Sequence, residues 1–387
     1  MTARTPNTEM PTFIPLNRVS SVGAELSYIR EAIAQDHLAG DGRFTRKVQA
    51  LLQDTLGVHK VLLTSSGTHA LEMSALMLDV QPGDEVIVPS FTFVTSASAF
   101  ALRGARPVFI DIRPDTLNLD ETQLERLITP RTKAIVPVHY SGVGCEMDAI
   151  QAVAQHYRIP VVEDNAHGLF AQYRGRPLGS FGSMAILSFH ETKNFTCGEG
   201  GALLVNDPQY VELAEIIREK GTDRSRFLRG QVDKYTWVAL GSSYLPSELQ
   251  AAFLCAQLEA REWIQQRRRS AWECYRRNLE GWAAENQVKL PVIPEHCEQS
   301  YHSFFVLMPS LETRQALIAH LRGRHIASAF HYVPLHLSAM GRRLGGKEGD
   351  CPVTERVSDQ LLRLPLYAGL TEEDQASVIR ALEEFPW

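Results

Sequence analysis

Between about residues 59 and 206, short and fully apolar runs alternate with stretches of helical periodicity, and this alternation restricts the fold more than any other feature of the chain. Fully apolar runs of this length are typical of strands that are covered on both faces. The pattern therefore predicts an α/β domain with a mostly parallel central sheet. The runs are KVLLTS, DEVIVPS, PVFIDI, KAIVPVH and IPVVED, followed by AILSFH and GGALLVND.

The pattern changes after Pro246, where a long stretch of helical periodicity begins and predicts one helix or two in succession. Beyond it, HSFFVLM and IASAFHY are strand-like, whereas TRQALIAHLRGR and TEEDQASVIRALEEF are helix-like. A chain of 387 residues is also too long for one simple core. We predict a large domain at 1–245, a linking helix at 246–266 and a small C-terminal α+β domain at 267–387.

Composition excludes several classes of function. A net charge of −6 argues against a general nucleic-acid binder, which would carry a basic face. No run approaches the roughly 18 to 20 apolar residues of a membrane span. The opening MTARTPNTEMPTF has no signal-peptide core, so we expect a cytoplasmic protein. The six cysteines form no C-x-x-C pair, and His139, His167 and His190 match no metal-ligand spacing, so we predict no metal.

The segment TSSGTHAL, residues 64–71, follows the apolar run VLL and precedes a helical stretch. Gly67 permits close backbone approach, and Ser66 and Thr68 add hydroxyl groups where the first free N–H groups of the helix point. Such a helix start attracts a phosphate group. The alternative is a helix that is only capped by Ser or Thr.

A second candidate is Asp164, which closes the apolar run of IPVVEDNAHG. Ligands of open α/β sheets bind beyond the carboxyl ends of the strands, which is where this carboxylate is expected. The alternative is an aspartate that only forms a turn or caps a helix.

The third candidate is Lys193 in SFHETKNFTCGEGGALLV, with Ser188 earlier in the same segment. A lysine there could bind phosphate, form an ion pair or act as a nucleophile. A phosphate site, a strand-end acid and a loop amine in one sheet together match the needs of pyridoxal 5′-phosphate (PLP). Its ring also needs a stacking surface, for which we select Phe93 of PSFTFV, although a phenylalanine is more often part of the core.

Six segments together resemble the DegT/DnrJ/EryC1/StrS family of sugar aminotransferases over essentially the whole chain. They are SFHETKNFTCGEGG, VVEDNAHG, SSGTHALEM, PSFTFV, PVHYSG and LRLPLY. The resemblance implies a PLP-dependent fold of the aspartate aminotransferase-like type I and a homodimer with the active site near the interface. It implies that Lys193 bonds covalently to the cofactor aldehyde, that Asp164 pairs with the ring nitrogen and that His167 lies near the ring hydroxyl. Phe93 would stack on the ring, and the phosphate would be held by Ser66, Gly67, Thr68 and Ser188.

Several further site residues follow from the resemblance. The family commonly has Asn and Arg where GSSYL places Ser243 and Leu245, so the implied phosphate contact from the neighbouring subunit falls to Ser243. Candidate substrate contacts are Arg229, Tyr332 and His336. Arg229 lies in a basic stretch that is otherwise interpreted as a solvated surface.

The resemblance also implies an activity. Within the family, REKGTDRSRFLRGQVDKYTW and GSSYLPSELQAA are most similar to enzymes that move the amino group of L-glutamate to the 4-keto group of dTDP-4-keto-6-deoxy-D-glucose. The product, dTDP-4-amino-4,6-dideoxygalactose, serves polysaccharides of the enterobacterial common antigen type. Amination of a 3-keto or a UDP-linked sugar remains open, as does a non-catalytic regulatory protein of the same fold. A nicotinamide dehydrogenase is poorly supported because no G-x-G-x-x-G follows the first strand.

Overall fold

The computed structural model describes residues 13–387. The absence of a signal peptide was inferred mainly from residues 1–12, which lie outside this range. The strands of the described residues are β1 (Lys60–Thr64), β2 (Glu85–Pro89), β3 (Arg106–Ile110), β4 (Thr132–Ile135), β5 (Val162–Asp164), β6 (Gln172–Tyr173), β7 (Arg176–Pro177), β8 (Met184–Ser188), β9 (Gly201–Val205), β10 (Cys297–Glu298), β11 (Phe304–Leu307) and β12 (Leu361–Leu364).

The helices of the same range are α1 (Glu25–Ala34), α2 (Arg43–Leu56), α3 (Gly67–Met77), α4 (Thr95–Ala101), α5 (Leu124–Leu127), α6 (Met147–Tyr157), α7 (Val211–Arg218), α8 (Arg224–Leu228), α9 (Glu248–Glu259), α10 (Arg261–Glu285), α11 (Leu311–Gly323), α12 (Ala339–Arg343), α13 (Pro352–Gln360) and α14 (Glu372–Glu383). Short 3₁₀ helices lie at Glu121–Gln123, Tyr140–Gly142, Pro208–Tyr210 and Leu335–Leu337.

The large sheet is mixed and mostly parallel, as the sequence predicts. Strands β3, β2 and β4 pair in parallel, and so do β5 and β8. Isolated parallel bridges, Ile135 with Val161 and Val138 with Asp164, connect the two groups. Strand β9 runs antiparallel to both of its neighbours, β8 and β1. The carboxyl ends of β1, β2, β5 and β8 therefore meet at one edge of the sheet.

Helices cover both faces of this sheet, which is why its strands are apolar without interruption. In β1, Leu62 packs in a core with α3 and α4, whereas Val61 and Leu63 pack in a second core with α2 and α9. Successive side chains of a strand point to opposite faces, so a strand between two helical layers buries each of them.

The helical stretch after Pro246 consists of two helices, α9 and α10, which meet at Ala260. Helix α9 begins with a capping box, in which Ser247 and Gln250 bond each other's backbone N–H groups. It packs on the large sheet, whereas α10 packs with β11, β12, α11 and α14 in a separate C-terminal core. Residue 267, where we placed the start of the small domain, lies inside α10.

The strand predicted at IASAFHY is wrong. Ile326 and Ala329 form only isolated bridges, to Ile14 and Arg363. The segment then leaves the sheet because the next residues, His331 and Tyr332, line a cavity instead. In the glycine-rich segment at 341–350, the first three residues are helical and belong to α12. As for membranes, no helix within residues 13–387 has the length and apolar character needed to span one.

Candidate active site

A cavity of about 460 Å³ lies at the carboxyl edge of the large sheet. It is closed on the other side by residues of the C-terminal part of the chain, among them His302, His331 and Arg363. The sequence-predicted residues that line it are Ser66, Gly67, Thr68, Phe93, Asp164, His167, Ser188, Lys193 and Tyr332. Folding thus brings the three candidate segments together around one space.

The N-terminus of α3 opens into this cavity. The extended N-cap residue Ser66 accepts a hydrogen bond from the His69 N–H at 3.1 Å. This cap leaves the N–H groups of Gly67 and Thr68, in the first turn, without an intrahelical acceptor. A Cβ atom on Gly201 would lie 2.4 Å from the backbone nitrogen of Gly67. The glycine run after Lys193 is therefore needed for close approach of β9 to the start of α3.

Asp164 is the last residue of β5 and is only 5% exposed. Its Oδ2 accepts a hydrogen bond from the Ser96 hydroxyl at 2.7 Å, and its Oδ1 accepts the Ala166 N–H at 3.2 Å. Ser96 lies on α4 and is itself 2.8 Å from the Thr92 hydroxyl. These contacts fix the orientation of the carboxylate at the wall of the cavity. No sequence pattern singled out Ser96 or Thr92.

Lys193 lies in the loop between β8 and β9, where its N–H donates to the His190 carbonyl at 2.9 Å. Burial lowers the pKa of its amine to about 8, with the positive charge of Arg363 acting in the same direction and Asp164 opposing it. A substantial fraction of the amine is then neutral near pH 8, as a nucleophile or base requires. In the same loop, burial raises the pKa of Cys197 to about 12, so its thiol is not activated.

Two histidine rings stack at the inner end of the cavity. His167 and His302 have ring centroids 4.0 Å apart and planes 15° from parallel. His302 Nδ1 lies 2.9 Å from Asn194 Oδ1, and the Ser141 N–H donates to His167 Nδ1 at 3.3 Å. Burial, reinforced by the charge of Lys193, holds the pKa of both rings well below the usual range. Both are neutral hydrogen-bonding groups, and His302 was not foreseen from the sequence.

Aromatic groups form the wall contributed by the segment after Ala329. His331 and Tyr332 stack with centroids 4.0 Å apart, and His331 Nδ1 lies 3.2 Å from the Tyr140 hydroxyl. Burial lowers the pKa of His331 and raises that of Tyr332. Phe93, at the opposite wall, is 58% exposed and so belongs to the cavity surface and not to the core.

Three predicted residues lie outside the cavity. Ser243 is exposed and forms an isolated bridge with Glu219. Arg229 donates to Glu215 Oε2 at 2.6 Å. His336 is fully buried, with Nδ1 2.6 Å from Ser90 Oγ and Nε2 2.9 Å from Glu355 Oε1. Both nitrogens of His336 are thus occupied by contacts within the chain.

Two further arginines of the basic stretch around Arg229, and the candidate metal ligand His139, are paired with carboxylates of the same chain. Arg224 and Arg226 pair with Glu219 and Glu212. His139 Nε2 lies 2.9 Å from Glu163 Oε2 in a fully buried pair. Within residues 13–387, no group of three or more His, Cys, Asp and Glu side chains is arranged to hold a metal ion.

Comparisons with known proteins agree with this geometry. The model of the DegT/DnrJ/EryC1/StrS aminotransferase family matches residues 20–383. The chain is 34% identical to the GDP-perosamine synthase of Caulobacter vibrioides over 94% of its length and 95% of the relative. It is 35% identical to the pleiotropic regulatory protein of Geobacillus stearothermophilus over 89% of its length and 90% of the relative.

A solved structure provides the comparison of folds. The PLP form of Spr1654 from Streptococcus pneumoniae superposes with a TM-score of 0.89 at 27% identity, over 97% of this chain and 100% of that one. The same protein is also known in a pyridoxamine phosphate (PMP) form. That structure superposes with a TM-score of 0.89 at 28% identity, over 95% of this chain and 98% of that one. The expected fold class, that of PLP-dependent aminotransferases, is confirmed.

Proposed function

Because the chain belongs to the DegT/DnrJ/EryC1/StrS aminotransferase family, we propose that it is a PLP-dependent sugar-nucleotide transaminase. The amino group moves from L-glutamate to the 4-keto group of dTDP-4-keto-6-deoxy-D-glucose and gives dTDP-4-amino-4,6-dideoxygalactose. The observation that supports this best is the meeting of a buried lysine, a strand-end carboxylate and a free helix N-terminus in one cavity.

The residues of the cavity fit the cofactor of the family. Gly67, Thr68 and Ser188, with the capping Ser66, offer N–H and hydroxyl donors for a phosphate at the positive end of α3. Asp164 presents a fixed negative charge for the ring nitrogen, and Lys193 Nζ is the amine for the aldehyde. Phe93 offers an exposed ring for stacking, and neutral His167 a hydrogen bond for the ring hydroxyl. When bound, PLP supplies an electron-poor ring that accepts the electron pair left when a substrate carbon loses its proton.

The chain's own residues then account for proton movement. Lys193 Nζ, whose pKa is lowered to about 8, takes the proton from the carbon that carries the amino group of the donor. In the second half of the reaction it returns a proton to the sugar carbon that receives the amino group. Asp164 keeps its orientation through Ser96, so its charge stays directed at the ring nitrogen without rearrangement.

The assembly is part of the proposal. We infer a cytoplasmic homodimer in which Ser243 of the partner subunit contacts the phosphate. The exposure of Ser243 on the single chain supports this role. Tyr332 lines the cavity and is the better placed of the proposed sugar contacts. Arg229 would have to exchange its ion pair with Glu215 for a substrate group, and His336 would have to leave its buried partners.

A GDP-linked keto-sugar is the second candidate substrate, because one relative of the chain is named GDP-perosamine synthase. UDP-linked and 3-keto sugars remain further alternatives. The test is to incubate the protein with glutamate and each keto-sugar nucleotide and to locate the new amine by NMR. We expect an amine at C4 of the dTDP-linked sugar, made for a surface polysaccharide of the enterobacterial common antigen type. Faster amination of the GDP-linked sugar would transfer the proposal to that substrate.

A regulatory function without catalysis is the candidate from another class, since a second relative is named a pleiotropic regulatory protein. Such a protein would not require Lys193 or Asp164, yet both line the cavity. A Lys193→Ala variant that keeps the protein's biological role in cells would favour regulation over catalysis.

A further inference from the structure

Arg363 of β12 lines the same cavity, although the sequence analysis assigned this residue no role. Its backbone is fixed on both edges. It pairs with Phe305 of β11, and its N–H donates to the Ala329 carbonyl at 2.8 Å. The side chain therefore starts from a rigid position in the wall that faces Lys193.

The guanidinium of Arg363 has no anionic partner in the part of the chain that the structure describes. Its Nε is buried without a hydrogen-bond acceptor, and no carboxylate of residues 13–387 lies within ion-pair distance of the side chain. Burial lowers the pKa of Arg363, and its charge adds to the lowering of the pKa of Lys193 and His302. Arg363 is only partly exposed, and a cation without an anionic partner is costly in such a position, so the group indicates a site for an anion that arrives with a ligand.

We propose that Arg363 binds the α-carboxylate of the amino donor, an inference that rests on the proposed aminotransferase function. The guanidinium is planar and donates two parallel hydrogen bonds, a geometry that matches a carboxylate. Arg363 and Lys193 line the same cavity, and the charge of the guanidinium acts on the Lys193 amine, so an anion bound to Arg363 would lie on the side of the cavity where Lys193 Nζ acts.

The chemistry of the two substrates selects the donor as the source of this anion. In an amino acid, the carboxylate is bonded directly to the carbon that carries the amino group. In a 4-keto-6-deoxy-sugar nucleotide, the neighbours of the reacting carbon carry a hydroxyl, a methyl group and the ring oxygen but no anion, and the diphosphate is attached across the ring at C1. The diphosphate of the sugar nucleotide is the other anion that Arg363 could bind, and separate binding measurements with a dicarboxylate and a nucleoside diphosphate distinguish it from the donor carboxylate.

The test uses the PLP-loaded protein and glutarate, a dicarboxylate that has no amino or keto group and cannot react. Glutarate should raise the melting temperature of the wild type and bind measurably by calorimetry. We expect Arg363→Gln to weaken glutarate binding by at least about tenfold, and Arg363→Lys to weaken it less, because the charge remains but the paired donors are lost. Arg356→Gln, which removes the same charge from an exposed position on α13, is the matched control and should bind glutarate as the wild type does.

Kinetics of the two half-reactions give a second readout. Arg363→Gln should slow conversion of the PLP form by glutamate and raise the glutamate concentration needed. The half-reaction of the PMP form with the keto-sugar nucleotide should stay within about twofold. Thymidine diphosphate should bind the variant and the wild type alike.

Unchanged affinity of Arg363→Gln for glutarate would overturn the inference, as would a selective loss of thymidine diphosphate binding. If Arg363→Gln does not fold, Arg363→Lys decides: glutarate affinity equal to that of the wild type counts against carboxylate binding. Failure of the proposed function is a separate outcome, because it would be seen as a wild-type protein that aminates no keto-sugar nucleotide.

Discussion

The rings of His167 and His302 lie 4.0 Å apart and nearly parallel, although the two residues are 135 positions apart in the sequence. Burial and the charge of Lys193 lower the pKa of both rings, so both are neutral in the folded protein. Two neutral buried histidines make the stability of the fold depend on pH.

We predict that the free energy of unfolding falls as the pH drops below about 6.5, the pKa of an unfolded histidine. The unfolded chain then binds protons that the folded chain does not, so stability rises with pH in this window and is fully present above it. His302→Gln should reduce the pH slope of the unfolding free energy by the contribution of one proton, on the order of 1 kcal/mol per pH unit. Urea unfolding at pH 5, 6 and 7 measures this slope, and the exposed His156→Gln serves as the control.

Lys193 should control covalent uptake of the cofactor. Its pKa is lowered to about 8, so the rate of attachment of PLP to the cofactor-free protein should rise with pH through about 8 and level off above it, as the neutral amine accumulates. Reduction with borohydride followed by mass spectrometry gives the extent of attachment. Lys193→Ala should lose both this attachment and the visible absorbance band of the lysine-bound cofactor. Lys289→Ala, at an exposed lysine, should keep both. A colourless wild type that takes up no PLP would refute the assignment.

Replacement of Asp164 should affect turnover more than folding. Asp164→Asn keeps the shape of a side chain held by Ser96 but removes the negative charge that we propose for the ring nitrogen of the cofactor. We expect turnover to fall on the order of a hundredfold or more, by analogy with the loss of other preorganised electrostatic contacts. Ser96→Ala, which removes one hydrogen bond to Asp164, should have a smaller effect on turnover, equivalent to about 1 kcal/mol in activation free energy. A melting temperature that falls in parallel with turnover would assign Asp164 a mainly structural role.

Gly201 and Gly281 should respond to alanine in opposite ways. A Cβ at Gly201 would lie 2.3 Å from the carbonyl carbon of Ser66, so Gly201→Ala must displace the start of α3. We expect a loss of about 1 to 3 kcal/mol in stability and weaker PLP binding. A Cβ at Gly281, within α10, meets nothing within 4 Å, so Gly281→Ala should stabilise the protein by about 0.4 to 1 kcal/mol. Thermal unfolding and PLP titration of both variants test the pair.

His336 distinguishes a structural contact from a substrate contact. It joins Ser90, at the end of β2, to Glu355 of α13. His336→Ala removes both ring contacts of a fully buried side chain and should cost about 1 to 3 kcal/mol of stability, with little change in the KM for the sugar nucleotide. The opposite result, a raised KM at unchanged stability, would restore His336 as a sugar contact.

The sequence predicted most of the large domain and the three central groups of the site, because their signals are local. An apolar run such as KVLLTS indicates a covered strand wherever it occurs, and the following Ser66, Gly67 and Thr68 indicate a helix start. Asp164 and Lys193 stand next to strands, so their place at the sheet edge follows once the strands are parallel. The one strand wrongly predicted, IASAFHY, has strand composition but turns to place His331 and Tyr332 in the cavity.

By itself, then, the sequence determined which segments become strands and helices and which polar residues stand at their ends, beside the cavity. Only the tertiary structure decided that His302 stacks on His167 and that Arg363 lines the cavity with Lys193 while no carboxylate of residues 13–387 pairs with it. Local patterns depend on backbone geometry and burial within one element, whereas the environment of a side chain depends on which distant segment packs against it. The pKa of Lys193 is lowered mainly by burial beneath such distant segments and further by the charge of Arg363, so its chemical state could be obtained only from the folded chain.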